Sequence, residues 1–396
     1  MKKTLEALDG PALEGQRVLV RVDFNVPLAE GQVADDTRIR AALKTISWLR
    51  TRGCRVVLMS HLGRPKGKVV PALSLRPLIP VLEHHLGAPV LFIEDPLSND
   101  AVQRTRRMKR GEVALVENTR FWPGEETNAG DFAEALARLG DFFVNDAFGA
   151  AHRAHATTEG LAFRLRPAVA GFLMAKELEH LDAAVTHPRR PFVAVIGGAK
   201  ISGKIDVIEA LLPKVDEILL GGAMANTFFL AMGFEVGTSL VEPDRVEIAQ
   251  KLLENAGDKI VLPTGAVVAQ QLSGNAEIRE VARESIEPGW SVYDIDHATV
   301  ADFTERILAA RTVVWNGPMG VFETPPFDAG TLGVAAALAE ATEHGTITVV
   351  GGGDSAAALA LAGLQGRITH LSTGGGASLE YLEGKPLPGV EALNDA

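Results

Sequence analysis

Cysteine and long apolar runs are what this sequence has least of. It contains one cysteine, Cys54, which excludes an internal disulfide and suits a reducing compartment, so we expect a cytoplasmic protein. Cys54 directly precedes an apolar run and is expected to be a small buried residue at a strand entrance, not a reactive thiol. No stretch of about 18 apolar residues is free of charge or turn residues, which predicts no membrane span. The early Glu6 has no apolar segment after it, so no signal peptide is expected.

An excess of positive charge is also missing. The net charge is −11, whereas a basic face usually dominates a nucleic-acid-binding domain, so no nucleic-acid partner is expected. The charge is unevenly spread, because residues 1–190 carry 27 Lys and Arg against 23 Asp and Glu, whereas residues 191–396 carry 12 against 27. Such an asymmetry indicates that the two halves bind different partners.

What the sequence does contain is a recurring pattern of short apolar runs, each followed by a stretch with helical spacing. Runs that are apolar throughout, without alternation, are typical of parallel strands buried on both faces. The predicted strands are 18–24, 56–60, 90–93, 113–117, 142–146, 192–197, 218–222, 260–263, 313–317, 347–351 and 368–373. A clear helical stretch is 37–52, which places Ile39, Leu43, Ile46 and Leu49 on one face. Alternating strands and helices predict an α/β protein built from doubly wound, Rossmann-like parallel sheets.

The length of the chain predicts two domains. A chain of 396 residues is long for a single domain, since domains usually have about 100–200 residues. The helical stretch 172–184 is followed by a proline-flanked link, which suits a hinge. We therefore expect an N-terminal domain at 1–172, a hinge helix and linker at 173–190, and a C-terminal domain at 191–379.

Cationic side chains collect after the predicted strands of the front half. They are Arg21, Arg38, His61, Arg64, Arg120, His152, Arg153 and His155. Ligands of doubly wound sheets bind beyond the carboxyl ends of the strands, and arginine pairs bidentately with phosphate and carboxylate, so this half is predicted to bind an anion. Asp23 and Asn25 either cap a turn or orient the arginines and bind substrate hydroxyls. His152 and His155 have no third ligand at useful spacing, so no metal site is expected there.

Glycine clusters follow the predicted strands of the back half. They stand at 197–198, 221–222, 317–320, 351–353 and 374–376. Glycines between a strand and a helix allow a phosphate to approach the free N–H groups of the helix N-terminus. Asp354 lies at such a helix start, where an acid beside phosphate-binding amides is typically a magnesium ligand; the alternative is a simple N-cap.

One glycine cluster imitates a P-loop. Gly198 to Lys204 fits the spacing G-x-x-x-x-G-K, but the next position needs Ser or Thr to hold magnesium and is occupied by Ile205. A P-loop is therefore rejected. If Lys200 and Lys204 lie on one helix turn, they share a face and bind an anion between them.

Nine strings of the sequence, taken in order, resemble the phosphoglycerate kinase family over essentially the whole chain. They are RVDFNVP (21–27), SHLGRPKG (60–67), ENTRF (117–121), NDAFGAAHRAH (145–155), GFLMAKEL (171–178), GGAK with KI (197–205), NGPMGVFE (316–323), GGGDSAA (351–357) and STGGGASLE (372–380). The resemblance implies reversible phosphoryl transfer between 1,3-bisphosphoglycerate and MgADP, giving 3-phosphoglycerate and MgATP in glycolysis. It also implies a monomer whose two domains face each other across a cleft, with the tail 380–396 packing on the first.

The resemblance implies a role for individual residues as well. The acid is expected to bind to Asp23, Phe24, Asn25, Arg38, His61, Leu62, Gly63, Arg64, Arg120 and Arg153, with Arg21 in support. The magnesium-nucleotide is expected to bind to Gly198, Lys204, Gly222, Asn316, Pro318, Glu323, Gly352, Gly353, Asp354 and Ser355, with Asp354 on Mg²⁺. The catalytic residues would be Arg38, Lys200, Lys204, Gly353 and Gly376. The chain departs from the family near the adenine, where Val292 replaces the usual glycine, and at Thr264 and Gly265, where Val-Asp is usual.

Phosphoryl transfer requires alignment and charge neutralisation more than covalent chemistry. Direct in-line transfer without a phosphoenzyme is therefore expected, with closure of the domains about the hinge to exclude water. One alternative is a nicotinamide-dependent Rossmann dehydrogenase, but residues 197–200 do not fit its G-x-G-x-x-G pattern. The other is a non-catalytic nucleotide-binding module, which gives no reason for arginines in the front half.

Overall fold

The computed structural model describes residues 2–8 and 10–396 and divides the chain into two compact units. The first unit comprises residues 1–179 and 386–396, and the second comprises residues 180–385. The boundary lies within a single helix, Phe172–Val185. Where the helical spacing predicted a helix at 172–184, the structure has one with nearly the same bounds.

The first unit contains eight strands, six of which form a parallel sheet. Its strands are β1 (Arg17–Arg21), β2 (Leu28–Ala29), β3 (Gln32–Val33), β4 (Arg55–Met59), β5 (Val90–Ile93), β6 (Val113–Val116), β7 (Phe142–Asn145) and β8 (Ala168–Ala170), and its helices are α1 (Gly10–Leu13), α2 (Thr37–Thr51), α3 (Ile79–Leu86), α4 (Asn99–Arg107), α5 (Pro123–Glu126), α6 (Gly130–Ala137) and α7 (Phe172–Val185). The sheet order is β5-β6-β4-β1-β7-β8, while β2 and β3 form a separate hairpin. The order turns outward on both sides of β1, which is the doubly wound arrangement predicted from the apolar runs.

The second unit repeats this architecture. Its strands are β9 (Phe192–Ile196), β10 (Glu217–Leu220), β11 (Ile260–Val261), β12 (Gly265–Ala269), β13 (Arg279–Ala282), β14 (Ser291–Ile295), β15 (Thr312–Asn316), β16 (Ile347–Gly351) and β17 (His370–Leu371), and its helices are α8 (Ile205–Leu211), α9 (Met224–Ala231), α10 (Val246–Ala256), α11 (His297–Ala309), α12 (Ala329–Glu343), α13 (Gly353–Leu361) and α14 (Gly376–Leu382). Six strands form a parallel sheet in the order β11-β10-β9-β15-β16-β17. The predicted α/β class is confirmed in both units.

Strand burial explains why the apolar runs predicted the sheets. In β4, β6 and β7 every residue except Arg55 is buried, because helices cover both faces of a parallel sheet. Helix α2 buries Ile39, Ile46 and Leu49 against the core of the first unit, as its spacing predicted, while the fourth predicted residue, Leu43, is half-buried. Cys54 is fully buried directly before β4, as expected, and burial raises the pKa of its thiol to about 11.

Six strands were not predicted. The hairpin strands β2 and β3 have only two residues each. Strand β8 is only three residues long, too short to stand out as an apolar run. Strands β12, β13 and β14 form an antiparallel sheet in the order β13-β12-β14. Strand β13 is largely exposed, so its composition resembles a loop. No described helix is both long and apolar enough to cross a membrane.

The C-terminal residues return to the first unit, with helix α15 (Pro388–Glu391). The amide of Asn145 at the end of β7 donates to the carbonyl of Gly389 at 3.0 Å, and the side chain of Asn394 accepts from the N–H of Ala168 at 2.8 Å. Residues 380–385, which the sequence assigned to this tail, belong to the second unit instead.

Candidate active site

The cationic residues of the first unit lie at the carboxyl edge of its sheet. Arg21 ends β1, His61 follows β4, Arg120 lies in a 3-10 turn, Thr119–Phe121, after β6, and His155 follows β7. Strands β6, β4, β1 and β7 are consecutive in the sheet, so residues distant in sequence meet at one edge. Of these, Arg21 is fully buried, and His61, Arg120 and His155 are each 6% exposed.

Asp23 and Asn25 serve both a turn and an arginine. One carboxylate oxygen of Asp23 accepts from the Arg38 guanidinium at 2.7 Å, and the other accepts from the N–H of Asn25 at 3.2 Å. The side-chain oxygen of Asn25 in turn accepts from the N–H of Gly63 at 2.9 Å. The alternatives left open by the sequence are therefore combined: this segment is a capped turn, and its carboxylate orients Arg38.

The remaining acid-site candidates differ in exposure. Arg64 and Arg153 are exposed, whereas the side chains of Phe24 and Leu62 are buried in the core of the first unit. Arg120 donates to the carbonyl of Gly63 at 2.9 Å. The guanidinium groups that can move toward a ligand are therefore those of Arg38, Arg64 and Arg153, while Arg120 is held by the loop.

Burial and the neighbouring arginines lower the pKa values of His61 and His155. Burial, followed by the charge of Arg21, holds the pKa of His61 well below its usual value. Burial, followed by the charge of Arg120, lowers the pKa of His155 to about 4. The sequence marked both residues as members of a cation cluster, but their lowered pKa values leave both neutral at neutral pH. Nδ1 of His155 is buried without a hydrogen-bond partner among the described residues. His155 was missing from the predicted acid site, although it stands within the string that predicted Arg153.

The low pKa of His155 predicts an acid-sensitive contribution to stability. In the unfolded chain a histidine has a pKa of about 6.5, so the unfolded state binds more protons between pH 6.5 and 4. The contribution is therefore complete above pH 6.5 and is lost as the pH falls through about 4. We expect a loss of about 1–2 kcal/mol from this group after solvent screening.

Urea unfolding of the wild type and His155→Gln across this pH range measures the effect. The variant should show a flatter decline of unfolding free energy between pH 6.5 and 4. Parallel pH profiles for the two proteins, or an imidazole NMR titration of His155 near pH 6.5, would contradict the assignment.

The second unit contains a cavity of about 540 Å³. Five residues predicted to bind the nucleotide line it: Gly198, Gly222, Pro318, Glu323 and Asp354. They come from the loops after β9, β10, β15 and β16, which lie side by side in the sheet. The position at a sheet's carboxyl edge is where open α/β sheets bind ligands.

Beside this cavity Lys204 is anchored to Asn316. The ammonium group of Lys204 donates to the side-chain oxygen of Asn316, whose amide donates to the carbonyl of Gly351 at 2.8 Å. Burial lowers the pKa of Lys204, and the charge of Asp354 opposes this effect. Lys200 is exposed and has extended backbone, so the two lysines do not share a helix turn.

Asp354 stands in the first turn of α13 and is exposed. The N-cap position is Gly352, so the alternative that Asp354 is a simple N-cap is wrong. The hydroxyl of Ser355 is buried and accepts from the N–H of Gly317 at 2.7 Å, which ties the α13 loop to the β15 loop. Gly353 and Gly376 begin α13 and α14, and a methyl group added to either would meet no described atom within 4 Å.

At two of the glycine positions, close packing of neighbouring loops requires glycine, which the sequence did not reveal. A Cβ at Gly197 would lie 2.1 Å from the carbonyl oxygen of Pro318, and a Cβ at Gly222 would lie 2.5 Å from the N of Gly198. These loops pack backbone against backbone, with the N–H of Gly198 donating to Pro318 at 2.9 Å. The sequence interpreted both glycines as room for a ligand, and the structure shows that Gly197 and Gly222 also make room for neighbouring loops.

Glycine-to-alanine substitutions should distinguish a glycine required for loop packing from one that leaves room for a ligand. Gly197→Ala forces a steric clash and is expected to destabilise the protein by about 1–3 kcal/mol or more. Gly353→Ala should leave stability unchanged but weaken nucleotide binding, because its open side faces solvent where a phosphate would approach. Thermal unfolding and nucleotide titration measure the two effects.

Gly366→Ala is the matched control, since a methyl group there also meets no described atom within 4 Å, and it should change neither property. Unchanged nucleotide affinity in Gly353→Ala would exclude the close approach of a ligand at that glycine.

One wall of the cavity was missed by the sequence analysis because it belongs to the unpredicted antiparallel sheet. Gly265 and Ala266 of β12, together with Val292 and Tyr293 of β14, line it. Asp294 lies there as well: its side chain accepts from the N–H of Gly330 at 2.7 Å, and burial raises its pKa to about 7. The sequence signals were the departures from the family at Val292, which the resemblance placed near the adenine, and at Gly265.

A cationic site on one parallel sheet and a glycine-lined cavity on another are the features of an α/β phosphotransferase. A family model described as phosphoglycerate kinase matches residues 8–385. The chain is 53% identical to the phosphoglycerate kinase of Chloroherpeton thalassium over 100% of both chains. It is 55% identical to that of Chloroflexus aggregans, over 100% of this chain and 99% of the relative.

Solved structures agree with these sequence comparisons. The phosphoglycerate kinase from Coxiella burnetii superposes with a TM-score of 0.92 and 39% identity, covering 99% of this chain and 98% of that one. The enzyme from Pyrococcus horikoshii superposes with a TM-score of 0.84 and 34% identity, with the same coverage. The chain belongs to the phosphoglycerate kinase family. The predicted family and the predicted class, a phosphotransferase with a carboxyl acceptor, are confirmed, and neither the dehydrogenase nor the non-catalytic module is supported.

Proposed function

We propose that this chain transfers a phosphoryl group reversibly between 1,3-bisphosphoglycerate and MgADP, giving 3-phosphoglycerate and MgATP in glycolysis. The observation that carries the proposal is the division of labour between the units. One sheet edge gathers guanidinium and imidazole groups around Arg38, and the other gathers glycine loops and an exposed acid, Asp354. A phosphorylated acid and a nucleotide, which exchange a phosphoryl group, need two such different sites.

The acid binds at the edge of the first sheet. Arg38, Arg64 and Arg153 have side chains that can reach a ligand and pair with its phosphate and carboxylate. Asp23 keeps Arg38 oriented through the 2.7 Å ion pair, and Arg120 and His61 complete the site from below. The cationic surroundings neutralise a ligand of several negative charges without a metal ion.

The nucleotide binds in the cavity of the second unit. Its phosphates lie near Lys204, Asn316 and the start of α13, and Glu323 and Pro318 also line the cavity. Among the described residues no group of three or more His, Cys, Asp or Glu could hold a metal ion alone. Mg²⁺ nevertheless fits, because it usually takes one or two carboxylates plus substrate phosphates and waters, and Asp354 is an exposed carboxylate on the cavity wall. Bound there, Mg²⁺ would neutralise charge on the nucleotide phosphates.

The chemistry needs no general base, since the acceptor is already a carboxylate at neutral pH. Arg38 and Lys200 stabilise the equatorial oxygens of the transferring group. The two ligands are held by different units, so transfer requires the units to bring them together, and we assign that motion to the linker 173–190. The chain acts as a cytoplasmic monomer, which gel filtration at working concentration tests.

A coupled assay tests the proposed function. Purified protein with ATP, Mg²⁺ and 3-phosphoglycerate should form 1,3-bisphosphoglycerate, followed through its reduction by an added dehydrogenase. The same mixture without added dehydrogenase should not oxidise NADH. Absence of turnover by folded protein, with a known phosphoglycerate kinase active in the same mixture, would overturn the proposal.

A further inference from the structure

His61 has a defined tautomer because of its neighbour. The guanidinium of Arg21 lies 2.8 Å from Nδ1 of His61. Arginine has only donors and remains protonated in proteins, so Nδ1 must be the acceptor. A neutral imidazole with one accepting nitrogen carries its proton on the other. The hydrogen of His61 is therefore on Nε2.

Arg21 is itself held by a buried chain of hydrogen bonds. Its Nε donates to the hydroxyl of Thr157 at 2.9 Å, and its terminal nitrogen Nη1 donates to the carbonyl of Val22. The hydroxyl of Thr157 donates its single hydrogen in a hydrogen bond to one carboxyl oxygen of Glu125. The main-chain N–H of Thr157 donates to the other oxygen of Glu125 at 3.1 Å. Both carboxyl oxygens of Glu125 accept from Thr157, so the hydroxyl oxygen of Thr157 is left to accept from Arg21.

The burial of these groups makes the chain rigid. Arg21, Glu125 and Thr157 are each fully buried, and a buried charge left without its partner is costly. Burial lowers the pKa of Arg21, and the charge of Glu125, followed by that of Asp23, opposes this effect. Turning Arg21 away from His61 would require breaking bonds to Thr157 and Val22 inside the protein.

We propose that Glu125, Thr157 and Arg21 are positioning residues that fix His61 as a neutral Nε2–H donor in the acid site. The acid site itself rests on the proposed function. Within it, His61 supplies a hydrogen bond to an oxygen of the anionic ligand, while the arginines supply the positive charge.

The surrounding charges maintain this state. Burial lowers the pKa of His61 most, and the guanidinium charges of Arg21, Arg120 and Arg38 lower it further, as does His155 once it is protonated. Protonating Nδ1 would also break the bond from Arg21. Binding of the acid should therefore not weaken as the pH rises from 6 to 8, as it would if a histidine cation were needed.

Nitrogen-15 NMR of the imidazoles tests the proposal in the whole chain. The chain has ten histidines, and His61→Gln identifies the signal of His61 by its loss. The wild type should show a His61 ring with Nε2 protonated and Nδ1 unprotonated, unchanged between pH 8 and 6. A ring protonated on Nδ1, or one that titrates near pH 6.5, would overturn the proposal.

Thr157→Val tests the positioning role, because valine keeps the shape but removes the hydroxyl that accepts from Arg21. We expect His61 to show a mixture of tautomers, and KM for 3-phosphoglycerate to rise about tenfold while kcat changes less. Thr157→Ser should restore both. Thr105→Val is the control, since Thr105 is also fully buried but bonds within α4, and it should leave the His61 signal unchanged.

The outcomes separate the two proposals. If Thr157→Val does not fold, the wild-type spectrum still decides the tautomer. An Nε2-protonated ring with no turnover of 3-phosphoglycerate would reject the proposed function alone. Turnover with an unchanged His61 signal in folded Thr157→Val would reject the positioning role alone.

Discussion

Arg38→Ala is expected to lower kcat by about 10³-fold or more, by analogy with arginines that stabilise transferring phosphoryl groups. The side chain of Arg38 is 41% exposed and is oriented by the 2.7 Å pair with Asp23, so it can reach a ligand without being loose. Truncation removes charge that is needed most in the transition state. Steady-state assays with both substrates saturating measure the effect.

The neighbouring Arg40 provides a matched control for Arg38. It lies on the same helix and pairs with Asp36 on the surface at 3.0 Å, so Arg40→Ala should leave kcat nearly unchanged. Arg38→Lys should recover only part of the rate, because an ammonium group cannot pair bidentately. If kcat of Arg38→Ala stayed within a factor of ten of wild type while the affinity for the acid fell, Arg38 would bind substrate without stabilising the transition state.

Asp354→Ala should slow turnover by about 10²-fold or more and raise the Mg²⁺ concentration needed for half-maximal rate. The carboxylate lies in the first turn of α13 and on the cavity wall. Of the described acids that line the cavity, which are Asp294, Glu323 and Asp354, it is the one that stands at the helix start. Removing it leaves the ion with phosphate and water ligands alone. Titration of the rate with Mg²⁺ at fixed ATP measures the shift.

Glu247→Gln is the control for Asp354, because Glu247 also stands in the first turn of a helix, α10, of the same unit but does not line the cavity. Its Mg²⁺ dependence should match that of the wild type. A normal Mg²⁺ dependence in Asp354→Ala would exclude Asp354 as the metal ligand.

Much of the fold was predictable because each parallel strand leaves a short apolar run in the sequence. A strand covered on both faces must be apolar throughout, so β4, β6 and β16 were visible as runs with nearly correct ends. The antiparallel strand β13 was not, because four exposed or half-exposed residues leave no pattern to detect. Its pairing with β12 depends on Ala266 and Val267, which lie more than ten residues away in the chain.

The residues of the candidate site could be predicted from the sequence, but their individual roles and local conformations could not. Arg21, Arg38 and His61 could be named from the sequence, since cations after parallel strands converge at one edge. Asp23 could not be assigned a single role, because its two oxygens serve a backbone N–H and a guanidinium at once. Lys200 and Lys204 could not be separated, because the intervening residues form a 3-10 turn instead of a helix turn.

The sequence by itself determined the fold class, the family and which side chains stand at the strand ends, since these follow from short-range patterns and ordered strings. The tertiary structure alone decided that His61 is neutral and that Gly197 serves a neighbouring loop. Both outcomes depend on contacts across long sequence separations, such as the separation of 136 positions between Arg21 and Thr157. Burial and the charge of distant neighbours set a pKa or a steric limit, and neither is written in the residues adjacent in the chain.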